Sequence, residues 1–337
     1  MKIAILSSIA WRTPPRKYGP WEQVTSNIAE GLIEKGIDVT LFATGDSITK
    51  GKLSSVYEHS FGEDPSYDAK VMECLHISNL MEQEDDFDII HNNFDFLPLS
   101  YSRLIKTPVL TTIHGFSSSK ILPVYKKYNS STYYVSISNS DRSPELDYLA
   151  TVYNGINVQD FIYNNEPSDY LLFFGRIHPE KGVYESIQIA KKSKRKLIIS
   201  GLIQDQEYYD TKVKPFINDI DIVYTGNSGP EERNTLLGNA YALLHPISFD
   251  EPFGLSVAEA MLCGTPVIAY NRGSMPELIL DNKTGFLVNS IEGAVNAVNQ
   301  IESINRKSCR EWASSAFSKE KMVEGYMGVY NTILNKL

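Results

Sequence analysis

Twice along this chain, short continuous apolar runs alternate with longer amphipathic stretches, and few architectures can absorb that pattern. The first series of runs covers residues 3–6, 39–42, 87–90, 109–113 and 133–137, rich in Val, Ile, Tyr and Phe. Runs that are apolar on every side suit strands covered on both faces. The stretches between them read as helices. In residues 21–34, Val24, Ile28 and Leu32 share one face, and Gly36 follows as a stop. The second series places strands at 171–174, 197–199, 222–224, 242–244 and 267–269, with helices at 181–192, 205–217, 230–238 and 255–263. Strands separated by helical crossovers form a parallel, doubly wound α/β sheet.

A length of 337 residues allows two domains, at ~150 residues each, or one large α/β barrel. The turn residues Tyr153-Asn154-Gly155-Ile156-Asn157 and the unpatterned polar stretch 163–169 interrupt the alternation, which a single barrel does not need. The expected division is therefore 1–158, 159–317 and a last amphipathic helix at 318–337.

Charge excludes one class of partner. The net charge is −9, and neither series is basic, so a nucleic acid held by phosphate neutralisation is not expected. No window reaches the ~18 apolar residues of a spanning helix. The first apolar run stops at Trp11-Arg12, which reads as a buried strand rather than a secretory signal. Arg12, Arg16 and Lys17 beside Trp11 form too short a patch for stable membrane attachment. The basic run 191–196 reads as a solvated helix end. Cys74, Cys263 and Cys309 are far apart and form no CxxC, so neither a disulfide framework nor a zinc cluster is expected, and a cytoplasmic protein is. Asp86, Asp88, Asp219 and Asp221 lie at strand starts, the wrong end for a site, and no metal is assigned.

Chemistry concentrates first in residues 249–261, which include Glu251, Phe253, Gly254, Leu255, Ser256 and Glu259. Pro252 and Gly254 hold off the helix until about Leu255. A strand thus feeds a tight loop that opens on a helix N-terminus, where backbone N–H groups and the helix dipole suit a diphosphate. Glu259, one turn in, can face the ligand and bind a diol. Ser256 and Glu259 also fit a plain capping box, and Glu251 could be a solvated loop carboxylate.

The second signal is residues 171–182, where a strand ends at Gly175 and a helix follows Pro179. Arg176 supplies a planar fork and Lys181 a point charge, which together can neutralise a departing diphosphate. Both could equally be surface cations. His114 stands at a strand's carboxyl end in the first series, a place that suits either catalysis or packing. Residues 14–22 form a loop leading into a helix. There Gly19 permits close backbone approach, and Tyr18 is a candidate contact for a sugar or small acceptor. Gly226, in Tyr224-Thr225-Gly226-Asn227, belongs to a segment that could contact a nucleotide base through backbone.

In this order and spacing the segments resemble the family-four retaining glycosyltransferases of the GT-B fold. The likeness rests on Glu251 and Glu259 as a glutamate pair, on the Gly175-Arg176 and Glu180-Lys181-Gly182 loop, on Val152-Tyr153-Asn154-Gly155-Ile156, and on residues 264–269 and 284–288. The resemblance implies two Rossmann-like domains facing a cleft, an acceptor-side domain first and a nucleotide-sugar-binding domain second. The last helix would cross back to the first domain. It also implies that Arg176 and Lys181 hold the diphosphate, Glu259 the ribose, and Glu251 the sugar, near the N–H groups of Phe253, Gly254 and Leu255. His114 would lie next to the transferred sugar, so His114 and Glu251 are the expected catalytic residues. Gly19-Pro20 stands where the family has two adjacent glycines, and Pro20 removes an N–H from that loop. Residues 14–19, 41–47 and 91–97 resemble a short subgroup, some of whose members are labelled pterin glucosyltransferases and others natural-product enzymes. Tyr18 and Asn92 are the acceptor-side candidates.

The expected function is a metal-independent, retaining hexosyltransferase with no cofactor. Its co-substrate would be a nucleoside diphosphate sugar, UDP-linked rather than GDP-linked, and its acceptor a hydroxyl on a small molecule or saccharide. The alternatives are a nucleotide-sugar epimerase of the same fold and a non-catalytic nucleotide-sugar-binding module.

Overall fold

Every strand pairing that the sequence pattern requires is parallel, and the strands form two separate sheets. A computed structural model describes residues 1–64, 66–115 and 119–336. The chain divides into two compact units. Unit 1 comprises Met1–Gly155 with Lys319–Leu337, and unit 2 comprises Ile156–Ser318.

Unit 1 contains β1 (Lys2–Leu6), α1 (Pro20–Glu34), β2 (Asp38–Phe42), β3 (Lys52–Ser54), α2 (Ala69–Met81), β4 (Ile89–Asn92), β5 (Val109–Ile113), α3 (Leu122–Tyr128), β6 (Tyr133–Ser136) and β7 (Tyr148–Thr151). The sheet order is β3-β2-β1-β4-β5-β6-β7. Order reverses beside β1, so the segments after β1 and β4 leave the same edge of the sheet, where ligands collect in open α/β sheets. Ile3, Ile5, Ile89, Leu110 and Val135 are fully buried, as strands covered on both faces should be.

Unit 2 contains β8 (Tyr170–Phe174), α4 (Val183–Ser193), β9 (Lys196–Ser200), α5 (Gln206–Tyr208), β10 (Ile222–Tyr224), α6 (Pro230–Asn239), β11 (Ala242–His245), α7 (Leu255–Leu262), β12 (Val267–Tyr270), α8 (Met275–Leu278), β13 (Gly285–Val288), α9 (Ile291–Gln300) and α10 (Arg306–Phe317). Its order is β10-β9-β8-β11-β12-β13, with the reversal between β8 and β11. That reversal places the segments after β8 and β11 side by side.

The last helix, α11 (Lys319–Leu334), belongs to unit 1 and packs on α1. It buries Met322, Val323, Tyr326, Tyr330 and Ile333. At about 1.5–3 kcal/mol for each large apolar side chain, this face anchors it firmly. A polar chain adds direction. Tyr330 Oη lies 2.7 Å from His91 Nδ1, His91 Nε2 lies 2.8 Å from Thr112 Oγ1, and Tyr326 Oη lies 2.9 Å from the same hydroxyl.

Two expectations need correction. The helix over 205–217 is broken into α5, a widened turn at Tyr209–Val213 and a tight turn at Lys214–Phe216. Pro215 lacks an N–H and clashes with the preceding turn, so an α-helix cannot run through it. The strand at 87–90 instead runs Ile89–Asn92, because the polar His91 and Asn92 extend it while buried.

Candidate active site

In unit 2 the site residues come from the ends of two neighbouring strands. After β8, residues Gly175 and Arg176 lead into a turn at Pro179–Lys181, and α4 starts behind Gly182. Gly182 has φ 76°, and a Cβ there would stand 2.1 Å from the carbonyl oxygen of Pro246. The two loops thus touch backbone to backbone, which brings Lys181 beside the segment after β11.

That second segment carries Glu251. Lys181 Nζ donates to Glu251 Oε2 and sits 4.5 Å from the centre of the Phe249 ring. His245, the last residue of β11, directs Nε2 at the same carboxylate oxygen from 3.6 Å. Burial alone would raise the Glu251 carboxyl. The facing His245 imidazole and the Lys181 charge outweigh it and hold the group at about 2. Glu251 is therefore an ionised, part-buried group that Lys181 bonds and the His245 ring faces, not a solvated loop carboxylate. Ser274 fixes its loop, with Ser274 N donating to Glu251 O at 3.0 Å and Ser274 Oγ to Phe253 O at 2.6 Å.

Gly254 caps α7 with φ 95°, a left-handed conformation that costs other residues energy. Phe253 is buried, while Leu255 and Ser256 are half-buried in the first helical turn. The capping-box alternative is overturned, since Ser256 lies inside the helix and the cap residue is Gly254. Glu259 accepts from Arg233 Nη1 of α6 at 3.2 Å. Burial raises the Glu259 carboxyl, and Arg233 offsets part of that rise. Arg233 also lies over the Phe161 ring. Arg176 donates to the Gln204 side chain. Gly226, just beyond β10, has φ 86° with open space where a Cβ would be.

Unit 1 brings together a different set. His114 follows β5, is buried, and places Nε2 3.0 Å from Asn93 Oδ1. That bond puts the proton on Nε2 and leaves Nδ1 an acceptor. Trp21 of α1 stacks on the ring with centroids 5.8 Å apart. Burial lowers the His114 imidazole to about 4, so it is neutral near pH 7. Gly19 caps α1 against Pro15, and Tyr18 meets Trp11 edge-on at 6.3 Å. Glu22, in the first turn of α1, accepts from Trp11 N at 3.3 Å, and burial keeps its carboxyl above the usual range.

Asn92 has a different place from the one expected. Its amide nitrogen donates to Asp95 O and Thr111 Oγ1, and its oxygen accepts from Phe94 N. It is fully buried, so it shapes the loop after β4 rather than facing an acceptor. His245, Arg233, Asn93 and Glu22 were not singled out from sequence. The only available signal was their position at strand ends or in a first helical turn.

Residues 157–319 match the family model described as glycosyl transferases group 1, and residues 21–159 match that of glycosyltransferase family 4. With the two doubly wound sheets, these matches define the chain as a glycosyltransferase of the GT-B fold, with a family 4 segment followed by a group 1 segment. An uncharacterised 41.2 kDa protein in the cps region of Klebsiella pneumoniae is 35% identical over 172 residues, 48% of this chain. The match spans about half of that relative, 46% of its length. An uncharacterised glycosyltransferase of Methanocaldococcus jannaschii is 25% identical over 349 residues, covering 95% of this chain and 97% of its own. Among solved structures, Anabaena HepE in complex with UDP-glucose superposes with a TM-score of 0.72 at 18% identity, covering 100% of each chain. No helix among the described residues is long and apolar enough to cross a membrane.

Proposed function

We propose that this glycosyltransferase moves a hexose from a nucleoside diphosphate sugar to a hydroxyl acceptor with retention, as a cytoplasmic enzyme that uses no bound metal. One observation carries the reading. Glu251 is held ionised between Lys181 and His245, where the loops after β8 and β11 meet at the head of α7. A carboxylate there can accept from sugar hydroxyls, and Lys181 beside it, with Arg176 of the same loop, can receive a leaving diphosphate.

In this reading Arg176 and Lys181 neutralise charge as the glycosidic bond to the diphosphate breaks. The N–H groups at the start of α7, in Phe253, Gly254, Leu255 and Ser256, complement the same phosphates. Glu259 receives the ribose hydroxyls, with Arg233 holding its carboxylate in place. Gly226 leaves its loop open to the base. The acceptor hydroxyl attacks from the face the diphosphate leaves and gives its proton to the departing diphosphate oxygen, which retains configuration without an enzyme nucleophile. His114 is neutral and its Nδ1 can accept a hydrogen bond from a sugar hydroxyl rather than supply a charge, and Tyr18 and Gly19 contribute on the acceptor side. The acceptor is a small molecule or a saccharide, and the donor carries UDP, the nucleotide in the HepE complex.

A thermal-shift panel of UDP, GDP, ADP and their sugars tests the proposal. A ligand at ~100 times its dissociation constant adds roughly 2.7 kcal/mol of apparent stability. A response to UDP and a UDP-sugar is expected, and silence from every nucleotide would overturn the reading.

A further inference from the structure

We propose that His245 is a positioning residue for Glu251, the contact that keeps this carboxylate in place when Lys181 turns to the donor's diphosphate. The inference rests on the function proposed above, in which Lys181 serves the phosphates.

Lys181 and His245 approach the same oxygen of Glu251, Oε2. Among the described residues no hydrogen bond engages the other oxygen, Oε1, which leaves it for a substrate hydroxyl. The two partners differ in mobility. Lys181 reaches Glu251 through a flexible four-carbon stem that ends a tight turn. His245 ends a central strand, paired through Ala269 of β12, and is 4% exposed. It cannot follow a ligand.

His245 Nε2 is buried and has no hydrogen-bond partner. At 3.6 Å it is just outside hydrogen-bond reach of Glu251 Oε2. An unpaired buried nitrogen is unfavourable, and an apolar side chain would avoid that cost if packing were its only task. The arrangement becomes useful when Lys181 leaves. Glu251 would then lose its nearest cation in a largely dry setting, and a small shift of the carboxylate closes the gap to His245. The exchange of partners keeps Glu251 oriented while Lys181 meets the phosphates.

The test compares His245→Phe, which removes the donor, with His245→Gln, whose amide nitrogen stands in for Nε2. With the donor identified by the ligand panel, His245→Phe should lower kcat by ~30-fold or more, a loss of orientation, with nucleotide affinity nearly unchanged. His245→Gln should recover most of that loss. Wild-type kcat in His245→Phe, or equal losses of kcat and nucleotide affinity in both variants, would overturn the assignment.

A second measurement needs no turnover. In a Lys181→Met background, where the cation is already gone, His245→Phe should lower Tm by roughly 2–4 °C more than it does in the wild-type chain. An equal shift in both backgrounds would overturn the exchange of partners. If the wild-type chain binds and turns over no nucleotide sugar, the proposed function fails, and the Lys181→Met comparison still decides the contact.

Discussion

A glutamate beside a proline in a loop would ordinarily be a solvated carboxylate, and a lysine bonded to one oxygen with a histidine ring 3.6 Å from it makes Glu251 something else. Replacing it by Gln keeps the shape and removes the charge that Lys181 and His245 face. Glu251→Gln should therefore stay folded while sugar transfer falls ~100-fold or more, the scale of one lost transition-state contact. Wild-type turnover in this variant would remove Glu251 from the chemistry. Arg176 gives the complementary case. Its recorded partner is the Gln204 side chain, so the fold depends on it little. Arg176→Ala should weaken nucleoside diphosphate binding ~10-fold or more, with stability unchanged within about 0.5 kcal/mol. Unchanged affinity in a titration would count against its phosphate role. Glu251, Glu259, Arg176 and Lys181 were legible because each sits at a fixed distance from a glycine or proline that marks a strand-to-helix turn. His245, Arg233 and Asn93 were not legible, because a single polar residue at a strand end or on a helix forms no pattern until the fold supplies its partner.

At the scale of elements, the loops after β8 and β11 are set by how closely their backbones approach. Gly182 and Gly226 both have φ in the left-handed region, at 76° and 86°, but their surroundings differ. A Cβ on Gly182 would meet the Pro246 carbonyl at 2.1 Å, whereas one on Gly226 meets nothing within 4 Å. Gly226→Ala should thus cost only backbone strain, about 1 kcal/mol. Gly182→Ala adds a backbone clash and should cost about 3 kcal/mol or more, pushing the two loops apart. Denaturant unfolding of both variants checks the order, and equal losses would mean the loops are not in contact. The same scale shows what pattern reading catches. Central strands announce themselves as apolar runs because both faces are covered. The edge strands β3, β7 and β13 do not, being short or only half covered, whereas the edge strand β10 still reads as an apolar run. β4 was displaced by two residues because His91 and Asn92 are polar yet buried, and their partners are on β5, α11 and the following loop. The helix over 205–217 followed amphipathic spacing past Pro215, where backbone sterics overrule periodicity.

Across the whole molecule, a net charge of −9 says little about how stability depends on pH, because the groups that decide it are buried. Unit 1 holds three such histidines. Burial lowers His76 to about 4, His91 to about 3 and His114 to about 4. His76 bonds the Ser7 carbonyl and lies against the Phe94 ring, while His91 faces Tyr330 and Thr112, and His114 faces Asn93. In the unfolded chain each would titrate near 6.5. Between that value and the folded one, the unfolded state binds more protons, so stability rises with pH and is lost as pH falls below 6.5. Each histidine contributes a slope of up to about 1.4 kcal/mol per pH unit. The carboxyls of buried Glu22 and half-buried Glu73 and Asp95 are raised and have the opposite sign. Their contribution grows as pH falls and is lost as pH rises through their folded values, so they oppose the histidines most strongly in the carboxylate range. Glu251 in unit 2, lowered to about 2, stabilises above the carboxylate range and is lost only as pH falls through it. The window from 6.5 to 5.5 is therefore dominated by the histidines. His76 isolates one of them, since its Nδ1 is already unpartnered and an apolar side chain of similar size can fill the site. His76→Leu should reduce the loss of unfolding free energy between pH 6.5 and 5.5 by about 1 kcal/mol, measured by denaturant titration at each pH. An unchanged slope would mean that His76 is charged in the folded chain.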